Sequence, residues 1–374
     1  MKKGNWYPAN FKRLEKLIRE NGIDSPNYNT KNKPYAVFDW DNTSVINDIE
    51  EATLTYQIEN LAFKITTNQL EEILAKSILE SPESSNPELQ SEKRQIEKIC
   101  KDVVDDYSKL LDLKKNASLN NIHETDYYKD FSAKLRYLYT VINKAFGTDI
   151  SIYLYAGMTS AEAGELVEKA IDDQLQRELK HLTWSSPEDM ETSSGMVQVT
   201  FKDGIRVIEE MRDLYQELMA KGIDVYICSA SYIDVIKVFA NNEKYGYNIP
   251  LENVFAMRLA KDNGVIKAKF DENYPKTVKK GKVETIEKLI SPKYDGTQPI
   301  LVAGDSNGDY PMLAEFTDLQ VGIIHNIGVQ GLISDLTDEV MEAPETENQK
   351  YLLQGRDENK GILIPSKTSI FLDK

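Results

Sequence analysis

Ala36-Val37-Phe38-Asp39-Trp40-Asp41-Asn42-Thr43 is the stretch on which the rest of the chain turns. The run from Tyr35 to Phe38 is short and apolar, and it leads straight into two carboxylates one residue apart and an Asn-Thr turn. Alternate side chains of a strand share a face, so Asp39 and Asp41 can point the same way at the strand's carboxyl end. That end is where open α/β sheets bind ligands. Two carboxylates this close repel each other until a cation or a shared proton relieves them. Asp and Asn also start ordinary turns, so the stretch alone leaves a plain turn open.

Three later stretches repeat the pattern of an apolar run followed by residues suited to phosphate chemistry. Val225-Tyr226-Ile227-Cys228 ends in Ser229-Ala230, where a hydroxyl and free N–H groups before a helix can cradle phosphate oxygens or simply cap that helix. Lys279-Lys280-Gly281-Lys282 enters the next helical pattern, and a lysine there neutralises phosphate charge or forms a solvated basic turn. Pro299-Ile300-Leu301-Val302-Ala303-Gly304 runs into Asp305 and Asp309, four residues apart at a strand-to-helix turn. Such carboxylates suit Mg²⁺, a hard cation held by one or two carboxylates plus phosphate and water.

Around these stretches the chain alternates strands and helices. A helix is expected over 5–23, where Phe11, Leu14, Leu17 and Ile18 recur at helical spacing before Asn21-Gly22. From Ile49 to about Leu182 the pattern is helical almost throughout. Asn68 with Glu71, and Thr159 with Glu162, read as capping boxes, the second opening a helix that runs to His181. A polar break covers 81–91, and Gly147 closes a helix from Asp126 to Phe146. About 135 residues are too many for a loop between core strands, so they form an inserted domain. The strand–helix rhythm returns after Gly195, with a strand over Val254–Leu259 and a hairpin partner over Val265–Phe270. The fold class is α/β: a parallel-sheet core over 1–46 and 200–374, with a helical domain over 47–199.

The order Asp-x-Asp-x-Thr, Ser, Lys, Gly-Asp-x-x-x-Asp resembles the haloacid dehalogenase (HAD) superfamily of phosphotransferases, over residues 35–47 and about 203–325. The resemblance implies a Rossmann-type HAD core with a mobile helical C1 cap inserted between the first and second motifs. It implies Asp39 as a nucleophile forming an aspartyl-phosphate and Asp41 as general acid and base. Mg²⁺ would be held by Asp39, the Asp41 carbonyl and Asp305. Asn42, Ser229, Ala230 and Lys282 would hold phosphate oxygens, Asp309 would orient Lys282 or metal waters, and Thr43 would brace the turn. Asp-Trp-Asp-Asn-Thr-Ser, Glu50-Glu51, Ser-Ala-Ser and Lys244-Tyr245-Gly246-Tyr247-Asn248-Ile249-Pro250 together are similar to the phosphorylcholine phosphatase group. That likeness implies a phosphomonoester hydrolase acting on phosphocholine or a related amino-alcohol phosphate. A phosphoserine-type or general small-metabolite phosphatase is the alternative, and a non-catalytic binding protein a remoter one. A trimethylammonium group needs aromatic faces, each worth ~0.5–2 kcal/mol, and often a carboxylate. Trp40 and Glu51 are the candidates for that contact.

Composition narrows the partners. The 374 residues carry a formal charge of −16, which argues against nucleic acid or an anionic membrane surface. Two cysteines do not make a disulfide framework, and three histidines without metal spacing argue against zinc. No run approaches the ~20 apolar residues of a membrane span. The start lacks an apolar signal region, so the chain reads as soluble and cytoplasmic by default, or exported or in the cell envelope if a leader has been removed. The sequence leaves the oligomeric state open.

Overall fold

The computed structural model describes residues 1–79, 90–146 and 149–373. Its centre is a six-stranded sheet, here numbered in chain order: β1 Tyr35–Phe38, β2 Asp224–Tyr232, β3 Val254–Met257, β4 Leu301–Gly304, β5 Val321–His325 and β6 Tyr351–Gln354. The spatial order is β6-β5-β4-β1-β2-β3, and every neighbouring pair is parallel. The alternation read in the sequence explains how β1 is used. Ala36 and Phe38 join one apolar layer with Leu14, Leu17, Met211 and Leu214, while Tyr35 and Val37 join the other with Val283, Ile286, Met312 and Leu313. Helices Pro8–Asn21 and Glu209–Ala220 cover the first face, and Lys280–Thr285 and Leu332–Glu342 the second. A strand buried on both faces reads as a continuous apolar run, as β1, β4 and β5 do.

From β1 the chain builds outward to β2 and β3, then crosses back to β4 on the other side of β1. The carboxyl ends of β1 and β4 therefore flank the point where strand order reverses, and open α/β sheets place ligands there. Phe38 pairs with Ala303, and the Asp39 N–H donates to the Ala303 carbonyl at 3.0 Å, so Asp39 and Asp305 emerge side by side.

Between β1 and β2 the chain leaves and re-enters the core through a short antiparallel pair, Val45–Ile46 with Arg206–Val207. The insert holds helices Ile49–Glu59, Thr67–Leu79, Gln90–Leu113, Asp126–Phe146 and Ser160–Gln176. The Thr159–Glu162 capping box is present. The box expected at Asn68 and Glu71 is not. Thr66 and Gln69 form it two residues earlier, with the Thr66 N–H on Gln69 Oε1 at 2.8 Å and the Gln69 N–H on Thr66 Oγ1 at 3.3 Å. The stop expected at Gly147 lies outside the described residues, as does most of the break at 81–91. Gln90 and Ser91 already belong to a helix.

Two expectations are corrected. The helix after Thr159 ends at Gln176, not His181. Lys180–Ser185 instead pairs in six antiparallel steps with Gln198–Asp203, so the insert carries a hairpin besides its helices. The apolar–polar alternation of Gln198-Val199-Thr200-Phe201-Lys202-Asp203 is the strand signal, and Trp184 meets Phe201 edge-on across the pair at 4.9 Å. Secondly, Val254–Leu259 is not one strand. β3 ends at Met257, and Leu259–Asp262 turns through Asn263 and Gly264, both at positive φ, to pair with Val265–Phe270. Asn-Gly suits this turn because both positions need left-handed backbone.

Candidate active site

Four chain segments meet at the carboxyl end of the sheet. Asp39 follows β1 and is almost fully buried, with Oδ1 2.6 Å from the Lys282 ammonium. The same ammonium lies 2.6 Å from Asp309 Oδ1, and Lys282 is 2% exposed. Asp309 Oδ2 accepts from the N–H groups of Asp305 and Ser306, each at 3.1 Å, and from Ser306 Oγ at 3.0 Å. Both its oxygens are thus spent on holding Lys282 and the loop. Thr43 Oγ1 donates to Asp305 Oδ1 at 2.8 Å. Two glycines permit this closeness. A Cβ at Gly304 would lie 2.4 Å from Asp309 Cβ, and one at Gly281 would lie 1.8 Å from the Lys276 carbonyl oxygen.

Carboxylate oxygens of Asp39, Asp305 and Asp309 lie within 4.8 Å of one another. Burial, then Asp309, pushes the Asp39 carboxyl up against the opposing pull of Lys282. Burial, then Asp309 and Asp39, pushes Asp305 well above the usual range. Burial alone would lower Lys282, but Asp309 and Asp39 more than offset it. Lys282 thus pairs with two of the three buried carboxylates and leaves Asp305 without a paired cation among the described ion pairs. A donor set of hard oxygens with that surplus charge fits a divalent cation such as Mg²⁺.

Asp41 sits beside this group in a clamp. Its Oδ1 accepts from the Ile49 N–H at 2.7 Å, at the start of the insert's first helix, and its Oδ2 accepts from Ser231 Oγ at 2.6 Å. Burial, then Asp48 and Asp39, holds its carboxyl well above the usual range. A carboxyl that keeps its proton can donate one. Ser231 reaches Asp41 because the β2–β3 ladder breaks register between Cys228 and Tyr232, and such irregularities re-aim side chains beside sites. Ser229 is fully buried, and its Oγ accepts from the Ser231 N–H at 3.1 Å. Ala230 and Ser231 face a cavity of about 1240 Å³ that Asp39, Asp41, Asn42, Lys282 and Asp305 also line. A second cleft, about 850 Å³ between Tyr56, Tyr128 and Trp184 of the insert, shares no lining residue with it.

The two residues assigned to the leaving group are corrected. Trp40 is fully buried between Phe239 at 5.5 Å and Tyr247 at 4.9 Å, and does not line the cavity. Replacing it with Ala should cost about 3–5 kcal/mol of stability. Denaturant unfolding checks this, and the ratio of kcat/KM between two phosphate esters should stay unchanged. Glu51 pairs at 2.7 Å with Arg136, whose guanidinium covers the Tyr139 and Phe201 rings, and it too does not line the cavity. Among the acids that line the cavity, Asp48 acts on Asp41 and Asp149 acts on Asp48. Asp48 caps the helix through the Glu51 N–H at 3.0 Å, so the Asp48-x-x-Glu51 spacing was its visible signal. Glu50, quoted from the sequence only beside Glu51 and given no role of its own, is fully buried with Oε2 on the Tyr232 N–H at 2.9 Å. Burial, then Asp149, pushes its carboxyl up to about 8.

No protein-family model matches the chain. A conserved, functionally unknown protein from Anaerococcus prevotii DSM 20548, known from its crystal structure, is 33% identical, with 100% of this chain and 99% of that one covered and a TM-score of 0.87. The chain belongs to the family of that protein. Its fold is a six-stranded parallel-sheet core with a largely helical insert between β1 and β2. The phosphorylcholine phosphatase of Pseudomonas aeruginosa PAO1 is 40% identical over 52 residues, 14% of this chain and 15% of that relative. A substrate-bound phosphoserine phosphatase overlaps at a TM-score of 0.35 with 14% identity, over 90% of this chain and 95% of that one, which is too loose to support an argument. No helix among the described residues is long and apolar enough to cross a membrane.

Proposed function

We propose that this HAD-fold chain is a phosphomonoesterase acting on a small phosphate ester through an aspartyl-phosphate. The observation that supports it most is Lys282, shared at 2.6 Å between Asp39 and Asp309 at the mouth of the β1–β4 crevice. An Asp39 oxygen attacks phosphorus, and the bond to the leaving alcohol breaks as the alcohol takes a proton from Asp41. Asp41 then takes a proton from water, which attacks the phosphoryl group and frees inorganic phosphate and Asp39. Lys282 meets charge on the nucleophile and the phosphate, and Asp309 keeps it there. Asn42 and Ala230, on the cavity wall, supply donors to the phosphate oxygens; Ser229, expected to do so as well, is fully buried off that wall and holds the Ser231 N–H instead, and Thr43 braces Asp305. Asp39, Asp305 and the Asp41 backbone carbonyl would hold Mg²⁺, which neutralises phosphoryl charge when bound. EDTA should abolish phosphate release and added Mg²⁺ restore it; full activity in EDTA would remove the metal from this reading.

For the substrate we propose phosphocholine or a related amino-alcohol phosphate. The 52-residue likeness to a phosphorylcholine phosphatase supports it. So do the carboxylates of Asp48 and Asp149 and the rings of Tyr139 and Tyr153 on the cavity wall, a combination that suits a cation. Lys144, Lys276 and Lys279 line the same cavity and favour a phosphoserine-like substrate with a carboxylate of its own. Phosphate release from p-nitrophenyl phosphate, phosphocholine, phosphoethanolamine and phosphoserine, with Mg²⁺, separates the two. A preference for phosphocholine together with competitive inhibition by choline is expected. A preference for phosphoserine would discard the cation reading, and release from no ester would discard the enzyme reading.

A further inference from the structure

We infer that Arg356, in the C-terminal segment and outside all four motifs, is a positioning residue that turns the side-chain amide of Asn42 so that its NH₂ group faces the phosphate. This rests on the phosphatase reading above. Arg356 is fully buried. One terminal nitrogen donates to the Asn42 backbone carbonyl at 3.1 Å, and the other to Asn42 Oδ1 at 2.9 Å. A guanidinium has donors and no acceptor, so the amide atom turned toward it must be the oxygen. Nδ2 is thereby turned away from Arg356. Asn42 lines the cavity with Asp39, Asp41, Ala230, Lys282 and Asp305, which leaves that NH₂ group beside the place a phosphate occupies. Asn42 also has φ +57°, a left-handed conformation that Asn tolerates better than most residues, and its N–H is held by the Asn47 carbonyl at 3.1 Å.

The guanidinium is itself held fast. Nε donates to Glu358 Oε1 at 3.2 Å, and the same carboxylate takes Lys202 at 2.7 Å and the Leu372 N–H at 3.1 Å. Ser369 Oγ accepts from the Arg356 N–H at 3.0 Å. Lys202 lies on the strand Gln198–Asp203 by which the insert returns to the core. The pair Arg356–Glu358 therefore ties the catalytic loop to that strand. A lysine cannot copy the two-pronged contact, since it is a point charge on a flexible stem.

Asn42→Asp tests the amide directly. It keeps an oxygen for Arg356 and replaces the NH₂ group with a second oxygen. Inhibition by inorganic phosphate should weaken ~10–100-fold, the loss of one hydrogen bond to a charged group, and kcat/KM on p-nitrophenyl phosphate should fall at least as far. The melting temperature should hold or rise, because Arg356 then meets a carboxylate. Arg356→Lys tests the positioning role by a double-mutant cycle. It should weaken phosphate inhibition ~10-fold in the native background and have no further effect beside Asn42→Gly, where no amide remains to be turned. Unchanged phosphate inhibition in Asn42→Asp would overturn the inference, as would an Arg356→Lys effect equally large beside Asn42→Gly. If Arg356→Lys does not fold, Asn42→Asp decides alone. A native protein that releases no phosphate from any ester and binds none would instead sink the phosphatase reading itself.

Discussion

Asp39→Asn should lower kcat/KM on the preferred ester by ~10⁴-fold or more, and leave the protein as stable as before or more so. The amide has no oxygen nucleophilic enough to attack phosphorus, so the covalent step is lost rather than slowed. Its carbonyl can still accept the hydrogen bond that Lys282 now gives to Asp39 Oδ1. The substitution also removes one of three crowded carboxylates, whose mutual repulsion and burial already disfavour the charged form. Phosphate release measured with Mg²⁺ checks the first half, and thermal unfolding in metal-free buffer the second. A variant that kept even a hundredth of the native rate would mean another group attacks.

Lys282→Met should have the opposite effect on stability and a comparable effect on activity. The buried ammonium is paired with both Asp39 and Asp309, and a methionine of similar length leaves two buried carboxylates facing each other. Removing one partner of a buried ion pair typically costs about 3–5 kcal/mol. The rate should fall ~10³-fold, because the loop carboxylate that Lys282 anchors and the charge it offers the phosphoryl group are lost together. Urea unfolding checks the stability. Adding Asp39→Asn to Lys282→Met should recover part of it, since the repulsion is then reduced. If Lys282→Met is as stable as the native protein, the three carboxylates are not held together in the way described.

The parallel sheet and the four segments that meet at its carboxyl end were legible because each is announced locally, whereas the strand order was not. Tyr35 to Phe38 is a buried-on-both-faces strand with acid at its end, and Gly304 before Asp305 marks a close approach. The errors are equally physical. The period-two rule that puts Asp39 and Asp41 on one side puts Trp40 on the other, where Phe239 and Tyr247 await it. The aromatic's presence in the catalytic loop had obscured that. Glu51 lost to Asp48 because a helix N-cap folds back toward the loop before it, whereas the third residue of the helix meets Arg136 instead. The hairpin over Lys180–Ser185 and Gln198–Asp203 was masked by the long helical run in front of it. Arg356 had no local signal: it contacts Asn42 from 314 residues away, in a stretch whose own pattern is weak.

Acid-quenched mass spectrometry of Asp41→Asn during reaction with p-nitrophenyl phosphate tests the central claim most directly. That leaving group needs little help from an acid, so the first displacement should proceed, while the water that clears the intermediate lacks its base. The account predicts a phosphoryl group accumulating on the peptide that contains Asp39, and its loss on treatment with hydroxylamine. Steady release of phosphate by this variant with no covalent adduct, or an adduct on any other residue, would contradict it.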